Sequence, residues 1–109
     1  MVEKRIKNVK AVLKGFRERL QTKVRVRKMI LFGSYACGTP RDYSDVDVAV
    51  ISPDFHGGTK ADYRLLGRAA REVNSLIEAF AYTPRDIKNC QPGDFLDHII
   101  KTGKIVYSS

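Results

Sequence analysis

The stretch GSYACGTPRDYSDVD, residues 33–47, decides how this chain of 109 residues is built. A glycine-serine turn ends one apolar strand, a short polar loop follows, and two aspartates separated by one residue open a second apolar strand. Residues i and i+2 of a strand point to the same face, so Asp45 and Asp47 project side by side. Two adjacent carboxylates repel each other unless a cation lies between them. The pattern therefore predicts a cation site at the start of the second strand.

The glycine-serine turn at Gly33-Ser34 adds groups that suit phosphate. It can offer a hydroxyl and backbone N–H groups to an anion. Paired carboxylate oxygens suit Mg²⁺, which keeps waters and takes further ligands from substrate phosphates. A phosphate-binding turn and a pair of metal-binding carboxylates in one strand-loop-strand unit together indicate a nucleotide-binding site.

Composition and length narrow the class of protein. Hydrophobic residues make up 43% of the chain, which favours one folded domain over residues 1–109. No stretch is long and apolar enough to span a bilayer, and the charged N-terminus does not resemble a signal peptide, so we expect a cytoplasmic protein. Cys37 and Cys90 lack metal-ligand spacing and are interpreted as free thiols, although the sequence alone leaves a disulfide open.

The net charge of +8 is concentrated in residues 1–30, which hold eleven Lys or Arg against two Glu. Such a segment can attract nucleic acid, an acidic partner or a nucleotide. A solvated helix face is favoured over nucleic-acid binding, because no aromatic residues are interleaved with the bases.

The hydrophobic pattern predicts an α/β domain in which helices flank a small mixed sheet. Apolar residues at intervals of three and four predict helices, and apolar runs bounded by turn residues predict strands. The predicted order is helix 3–21, strand 23–32, helical turn 34–37, strand 45–51, helix 60–75, strand 76–82, a helix from 94 or 95 to 101, and strand 104–107.

Glu78 falls inside the third predicted strand, where an unpaired carboxylate is unusual. If that strand lies beside the one that carries Asp45 and Asp47, Glu78 completes a carboxylate triad around two metal ions. The competing interpretation places Glu78 at an exposed sheet edge or at the end of a helix.

The combination of Gly33-Ser34, Gly38 and Ser44-Asp45-x-Asp47 resembles the signature of the nucleotidyltransferase superfamily related to DNA polymerase beta. Segments 83–86 and 103–107, with the short length, resemble its minimal nucleotidyltransferases. The resemblance implies a polymerase beta palm-like fold. It also implies nucleotide-binding roles for Gly33, Ser34, Gly38 and Ser44, and catalytic, Mg²⁺-binding roles for Asp45, Asp47 and Glu78.

Two residues depart from the family pattern. Cys37 stands just before the second glycine, where arginine is common, and cysteine cannot pair with phosphate as a guanidinium does. Arg41 is a candidate replacement. Glu78 stands where aspartate is common, and its longer side chain reaches further.

Minimal members of the family resemble one half of two-component systems, in which the other half is an all-helical HEPN protein. Several of these HEPN proteins resemble RNA-cleaving toxins. The resemblance implies an antitoxin that transfers AMP from ATP to a hydroxyl of its HEPN partner, with two Mg²⁺ ions as cofactor. The alternative is a non-catalytic module that masks the partner sterically. An enzyme acting on a small molecule or on a nucleic-acid 3′ end is disfavoured, because each usually needs an added substrate domain.

Overall fold

The computed structural model describes residues 8–41 and 44–109. Within them the chain forms, in order, α1 (Val9–Leu20), β1 (Lys28–Phe32), α2 (Ser34–Cys37), β2 (Val46–Ile51), α3 (Lys60–Val73), β3 (Ile77–Tyr82), α4 (Pro84–Lys88), α5 (Phe95–Thr102) and β4 (Lys104–Ser108). The order agrees with the prediction except for α4, which the pattern analysis did not predict. No helix in the described part of the chain has the length and apolar character needed to cross a membrane.

The strands form one sheet in the order β3-β2-β1-β4. Strand β1 is antiparallel to both β2 and β4, whereas β2 and β3 run parallel. The predicted mixed sheet is therefore confirmed. The parallel pair places the beginnings of β2 and β3 at the same end of the sheet.

The two faces of the sheet are covered by different helices. Helices α1 and α3 cover one face, where Phe16 and Leu66 belong to the same buried cluster as Val48 of β2. Helix α5 covers part of the other face, and its buried Ile99 packs with residues of β1 and β2. Because side chains alternate along a strand, Asp47 projects on the side away from α1 and α3.

The predicted strand 23–32 is wrong at its beginning, because the ladder starts only at Lys28. Lys28 pairs with Ile51, the last residue of β2, and the N–H of Arg27 still donates to the carbonyl of Ile51, so residues 23–26 extend beyond the strand that could pair with them. Val26 is buried while Arg25 binds Asp54, which explains the alternation that suggested a strand.

The predicted helix bounds differ modestly from those observed. Helix α1 ends at Leu20, and the predicted residues 3–7 lie outside the described residues. Helix α3 ends at Val73 because Asn74 adopts an extended conformation. Both differences lie at helix ends, where pattern analysis has least information.

Candidate active site

Three carboxylates meet at the end of the sheet where β2 and β3 begin. Asp47 of β2 pairs in register with Glu78 of β3, and Asp45 directly precedes β2. One oxygen from each carboxylate lies within 4.8 Å of the others. Strand β3 is an edge strand and Glu78 is exposed, as the competing interpretation expected. Glu78 nevertheless lies close to both aspartates, so the two interpretations are compatible.

The three carboxylates of the triad affect one another's ionisation. Burial, and then the charge of Asp45, raise the pKa of Asp47. The pKa of Glu78 is raised mainly because the protonated side chain can donate a hydrogen bond to Asp45, and further by burial and by the charges of both aspartates. Among residues 8–41 and 44–109, no Lys or Arg forms an ion pair with these three side chains. Clustered hard oxygens that lack a cationic partner fit Mg²⁺.

Gly33 lies directly against the carboxylate of Asp47. Its φ of 76° is in the left-handed region, and a Cβ atom at this position would overlap Oδ2 of Asp47. Glycine is therefore required here for both conformation and space. The close approach joins the glycine-serine turn to the carboxylates, as the sequence predicted for one strand-loop-strand unit.

The short helix α2 follows this glycine and carries Ser34 at its start. The backbone N–H groups of Ala36 and Cys37 both donate to the carbonyl of Gly33, which makes the turn tight. Gly38 ends the helix with a φ of 73°, and it has open space around its Cα. The nucleotide-binding roles of Ser34 and Gly38 stay predictions, whereas the expected helical turn is present.

Ser44 stabilises the loop that leads to the aspartates. Its hydroxyl accepts a hydrogen bond from the backbone N–H of Arg41 at 2.7 Å, and its own N–H donates to the carbonyl of Arg41 at 3.0 Å. The two bonds fix the backbone just before Asp45. This structural contact is independent of the predicted nucleotide-binding role of Ser44, which stays a prediction.

The two cysteines carry no metal site or cross-link. Cys37 is exposed at the end of α2, and Cys90 is partly buried in the loop after α4. Both are free thiols, as the sequence predicted. Cys37, which departs from the family pattern, is thus accessible to solvent.

The comparisons with known proteins agree with this geometry. The family model for the nucleotidyltransferase domain matches residues 13–105. The chain belongs to this family. A protein of Methanocaldococcus jannaschii named "Putative protein adenylyltransferase" is 27% identical over 103 residues, which cover 92% of this chain and 99% of the relative.

Solved structures share the fold of this nucleotidyltransferase domain. A crystal structure described as a toxin–antitoxin with AMP-PNP superposes with a TM-score of 0.64 and 21% identity, over 95% of this chain and 75% of that one. A Sulfolobus solfataricus protein assigned to the nucleotidyltransferases superposes with a TM-score of 0.66 and 15% identity, over 91% and 79% of the two chains. The predicted helix-flanked mixed sheet is confirmed.

Sequence reasoning missed an aromatic cluster beside the carboxylates of the nucleotidyltransferase domain. Phe32 lies opposite Asp47 in the β1–β2 register, and Phe80 follows Glu78 by two residues on the same face of β3. The ring of Phe95 stands edge-on to both, with centroids 5.7 and 5.9 Å away. Phe95 is 53% exposed, so an apolar surface borders the site. The sequence signal for this surface was the apolar residue Phe95 at the first position of α5.

Proposed function

We propose that this nucleotidyltransferase domain transfers AMP from ATP to a hydroxyl of a partner protein, and that it acts as the antitoxin to a HEPN ribonuclease toxin. The observation that carries the transfer chemistry is the meeting of Asp45, Asp47 and Glu78 against the backbone of Gly33. The name of the M. jannaschii relative supports a protein as acceptor. The toxin–antitoxin structures that share the fold support the antitoxin role, and one of them contains AMP-PNP.

The proposed reaction exchanges a phosphoanhydride bond of ATP for a phosphate ester bond to the acceptor. The acceptor oxygen forms a bond to the α-phosphorus of ATP, the bond between the α-phosphorus and the bridging oxygen breaks, pyrophosphate leaves, and the hydroxyl proton is released. Asp45, Asp47 and Glu78 would hold Mg²⁺, which supplies activation of the hydroxyl and neutralises charge on the leaving pyrophosphate. Glu78, on the edge strand, faces the side from which an acceptor can approach.

The phosphate-binding residues of this proposal come from the turn beside the carboxylates. Gly33 allows the chain to pass close to Asp47, and the hydroxyl of Ser34 binds the β- and γ-phosphates. Gly38 keeps the end of α2 open through its left-handed conformation, and Ser44 lies where the loop returns to the metal ligands. This arrangement holds the triphosphate at fixed distance from the aspartates, so positioning contributes to catalysis.

The exposed ring of Phe95 gives the nucleobase a place to stack. Its edge rests on Phe32 and Phe80, which orients the ring, while more than half of its surface faces solvent. Stacking on an aromatic ring accepts every base, since each base has a π-face. The surface therefore supports nucleotide binding and leaves the choice of ATP to be tested.

The decisive experiment measures label transfer by an Asp47→Asn variant. The protein is incubated with Mg²⁺, its HEPN partner and ATP labelled at the α-phosphate. We expect wild type to label the partner and Asp47→Asn to lose at least about 100-fold of this rate, because an amide cannot replace a charged metal ligand. Glu18→Gln is the matched control, since it makes the same change from carboxylate to amide at an exposed residue of α1, on the opposite side of the sheet. Transfer at the wild-type rate by Asp47→Asn would contradict the mechanism.

The same experiment distinguishes the non-catalytic alternative, which Cys37 and Glu78 favour because both depart from the family pattern. A masking module would bind the HEPN partner and block its ribonuclease activity without ATP, and no label would appear. The transferase requires ATP and Mg²⁺ for lasting inhibition.

Phe95→Ala tests the proposed stacking surface. We expect the KM for ATP to rise by about 5- to 150-fold, which corresponds to the roughly 1–3 kcal/mol that stacking contributes per base, while the KM for the partner protein stays unchanged. Ile100→Ala is the control, because Ile100 is another exposed apolar residue of α5. A rise confined to the KM for the partner would assign Phe95 to acceptor binding instead.

A further inference from the structure

A groove lies on the outer surface of the helix layer, between the last turn of α1 and the length of α3. It has a volume of about 380 Å³. Its α3 side runs from Ala61 to Glu72, which corresponds to about three helical turns or about 16 Å. The length suits another helix of about the same number of turns.

Cations form the rim of this groove. Arg19 and Lys23 come from the end of α1 and the turn after it, and Arg64 and Arg68 are exposed on α3. The acidic residue of the lining, Glu72, is already bound to Arg19 at 3.1 Å. Within the described parts of the chain, Lys23, Arg64 and Arg68 form no ion pair. The rim therefore carries uncompensated positive charge.

The floor of the groove is apolar. Leu65 is partly exposed, and alanines lie one turn before and after it along the same stripe of α3. Leu20 closes the α1 side. Small and branched apolar side chains between rows of bases form a surface that an amphipathic helix can cover.

The residues that line the groove favour an acidic helix over a single-stranded nucleic acid as the partner. None of the described residues that line the groove is aromatic, so bases of a single-stranded nucleic acid would find no stacking surface. The carboxylate of Glu72 would repel phosphates at one end. A row of Asp and Glu beside a row of Leu satisfies both the rim and the floor.

The groove is separated from the carboxylate triad by the sheet. Helices α1 and α3 cover the face that carries Val46 and Val48, whereas Asp47 projects from the other face. A partner segment seated in the groove would leave the candidate active site open.

We propose that this groove is a docking site for an acidic amphipathic α-helix of a partner protein. Its apolar side chains cover Leu65 and the neighbouring alanines, and its carboxylates bind Arg64 and Arg68. The proposal does not depend on nucleotidyl transfer, because it concerns binding on the opposite side of the sheet.

A peptide selection followed by a charge-reversal series tests the docking site. The probe is a displayed library of helix-stabilised peptides of about 14 residues. Selected peptides are then measured by fluorescence anisotropy with wild type, with the groove variant Arg64→Glu/Arg68→Glu and with the control variant Lys10→Glu/Lys14→Glu. The control reverses the same number of charges on exposed positions of α1 outside the groove.

We expect the enriched peptides to carry a Leu stripe beside Asp or Glu, to bind the groove variant at least 10-fold more weakly and to bind the control variant within 2-fold of wild type. Equal weakening by both variants would indicate non-specific attraction and would overturn the proposal, as would an absence of enriched binders. A 14-nucleotide RNA that binds wild type more tightly than the peptides, and loses binding in the groove variant, would identify a nucleic-acid surface instead. Circular dichroism checks folding, and Arg64→Gln/Arg68→Gln replaces the reversal variant if that variant unfolds.

Discussion

At the scale of single residues, the contact between Gly33 and Asp47 connects backbone conformation to the geometry of the candidate active site. The left-handed φ of Gly33 brings its backbone against the carboxylate, and any side chain would occupy the position of Oδ2. The carboxylate is thereby held toward its partners Asp45 and Glu78. A glycine chosen for conformation thus also fixes the position of a candidate metal ligand.

Gly33→Ala should consequently reduce both stability and activity. Alanine in the conformation of Gly33, with φ 76° and ψ −154°, costs about 1–3 kcal/mol, and its Cβ must also displace Asp47. We expect a loss of that size in the free energy of unfolding, measured with urea, together with at least a 10-fold loss of nucleotidyl transfer. Gly57→Ala is the control, because Gly57 has a φ of 83° but nothing within 4 Å of its Cβ position. Equal activity losses in both variants would show that displacement of Asp47 is not the cause.

At the scale of elements, the start of α3 is organised by one buried carboxylate. Asp62 is 4% exposed, and its Oδ2 accepts hydrogen bonds from the backbone N–H groups of His56, Gly58 and Thr59. Burial acts to raise the pKa of Asp62, but these bonds and one with the His56 ring outweigh it, so the pKa lies below its usual value. The loop from β2 to α3 is therefore ordered by charge-assisted hydrogen bonds.

Asp62→Ala should destabilise the domain by about 2–4 kcal/mol, because three part-buried backbone hydrogen bonds to one carboxylate are lost together. Asp86→Ala is the matched control: it disrupts the capping box of α4, where the carboxylate accepts only the N–H of Thr83, and should cost about 1 kcal/mol. Urea unfolding at pH 7 measures both. Because the folded pKa of Asp62 is lowered, its contribution is present above the ordinary value of 3.8 and lost as the pH falls below it, and Asp62→Ala should remove that dependence. A loss no greater than that of Asp86→Ala would contradict this account.

Elements also show where sequence patterns mislead. The alternation of residues 23–26 satisfied a strand pattern, yet β2 ends too early to pair with them, and strand length depends on a partner that is remote in sequence. Helix α4 carried a readable signal, since Thr83-Pro84-Arg85-Asp86 is a capping box with proline at the first helical position.

At the scale of the whole molecule, two of the carboxylates could be predicted because they lie two residues apart where one strand begins. The place of the third carboxylate, Glu78, depends on the order of the strands in the sheet, which no local sequence pattern contains. Glu78 faces Asp47 because β3 adds in parallel beside β2, after α3 has crossed the sheet. The basic groove could not be predicted for the same reason, since Arg64 and Arg19 lie far apart in sequence and meet only when α1 packs against α3.

The excess positive charge should make the stability of the whole domain depend on salt. At a net charge of +8, with bases facing each other across the groove, self-repulsion opposes folding and ions screen it. We expect the free energy of unfolding, measured with urea at pH 7, to rise between about 0.05 and 0.5 M NaCl.

Each Arg→Glu change removes two charges, so Arg64→Glu/Arg68→Glu carries +4 and should show a smaller rise than wild type. The equally charged Lys10→Glu/Lys14→Glu should keep more of the rise, because its bases lie outside the groove. If the free energy of unfolding rises equally with salt in the two variants, the repulsion depends on net charge alone. If it rises less in the groove variant than in the control variant, the bases of the groove repel one another locally, and binding of an acidic helix would relieve that cost.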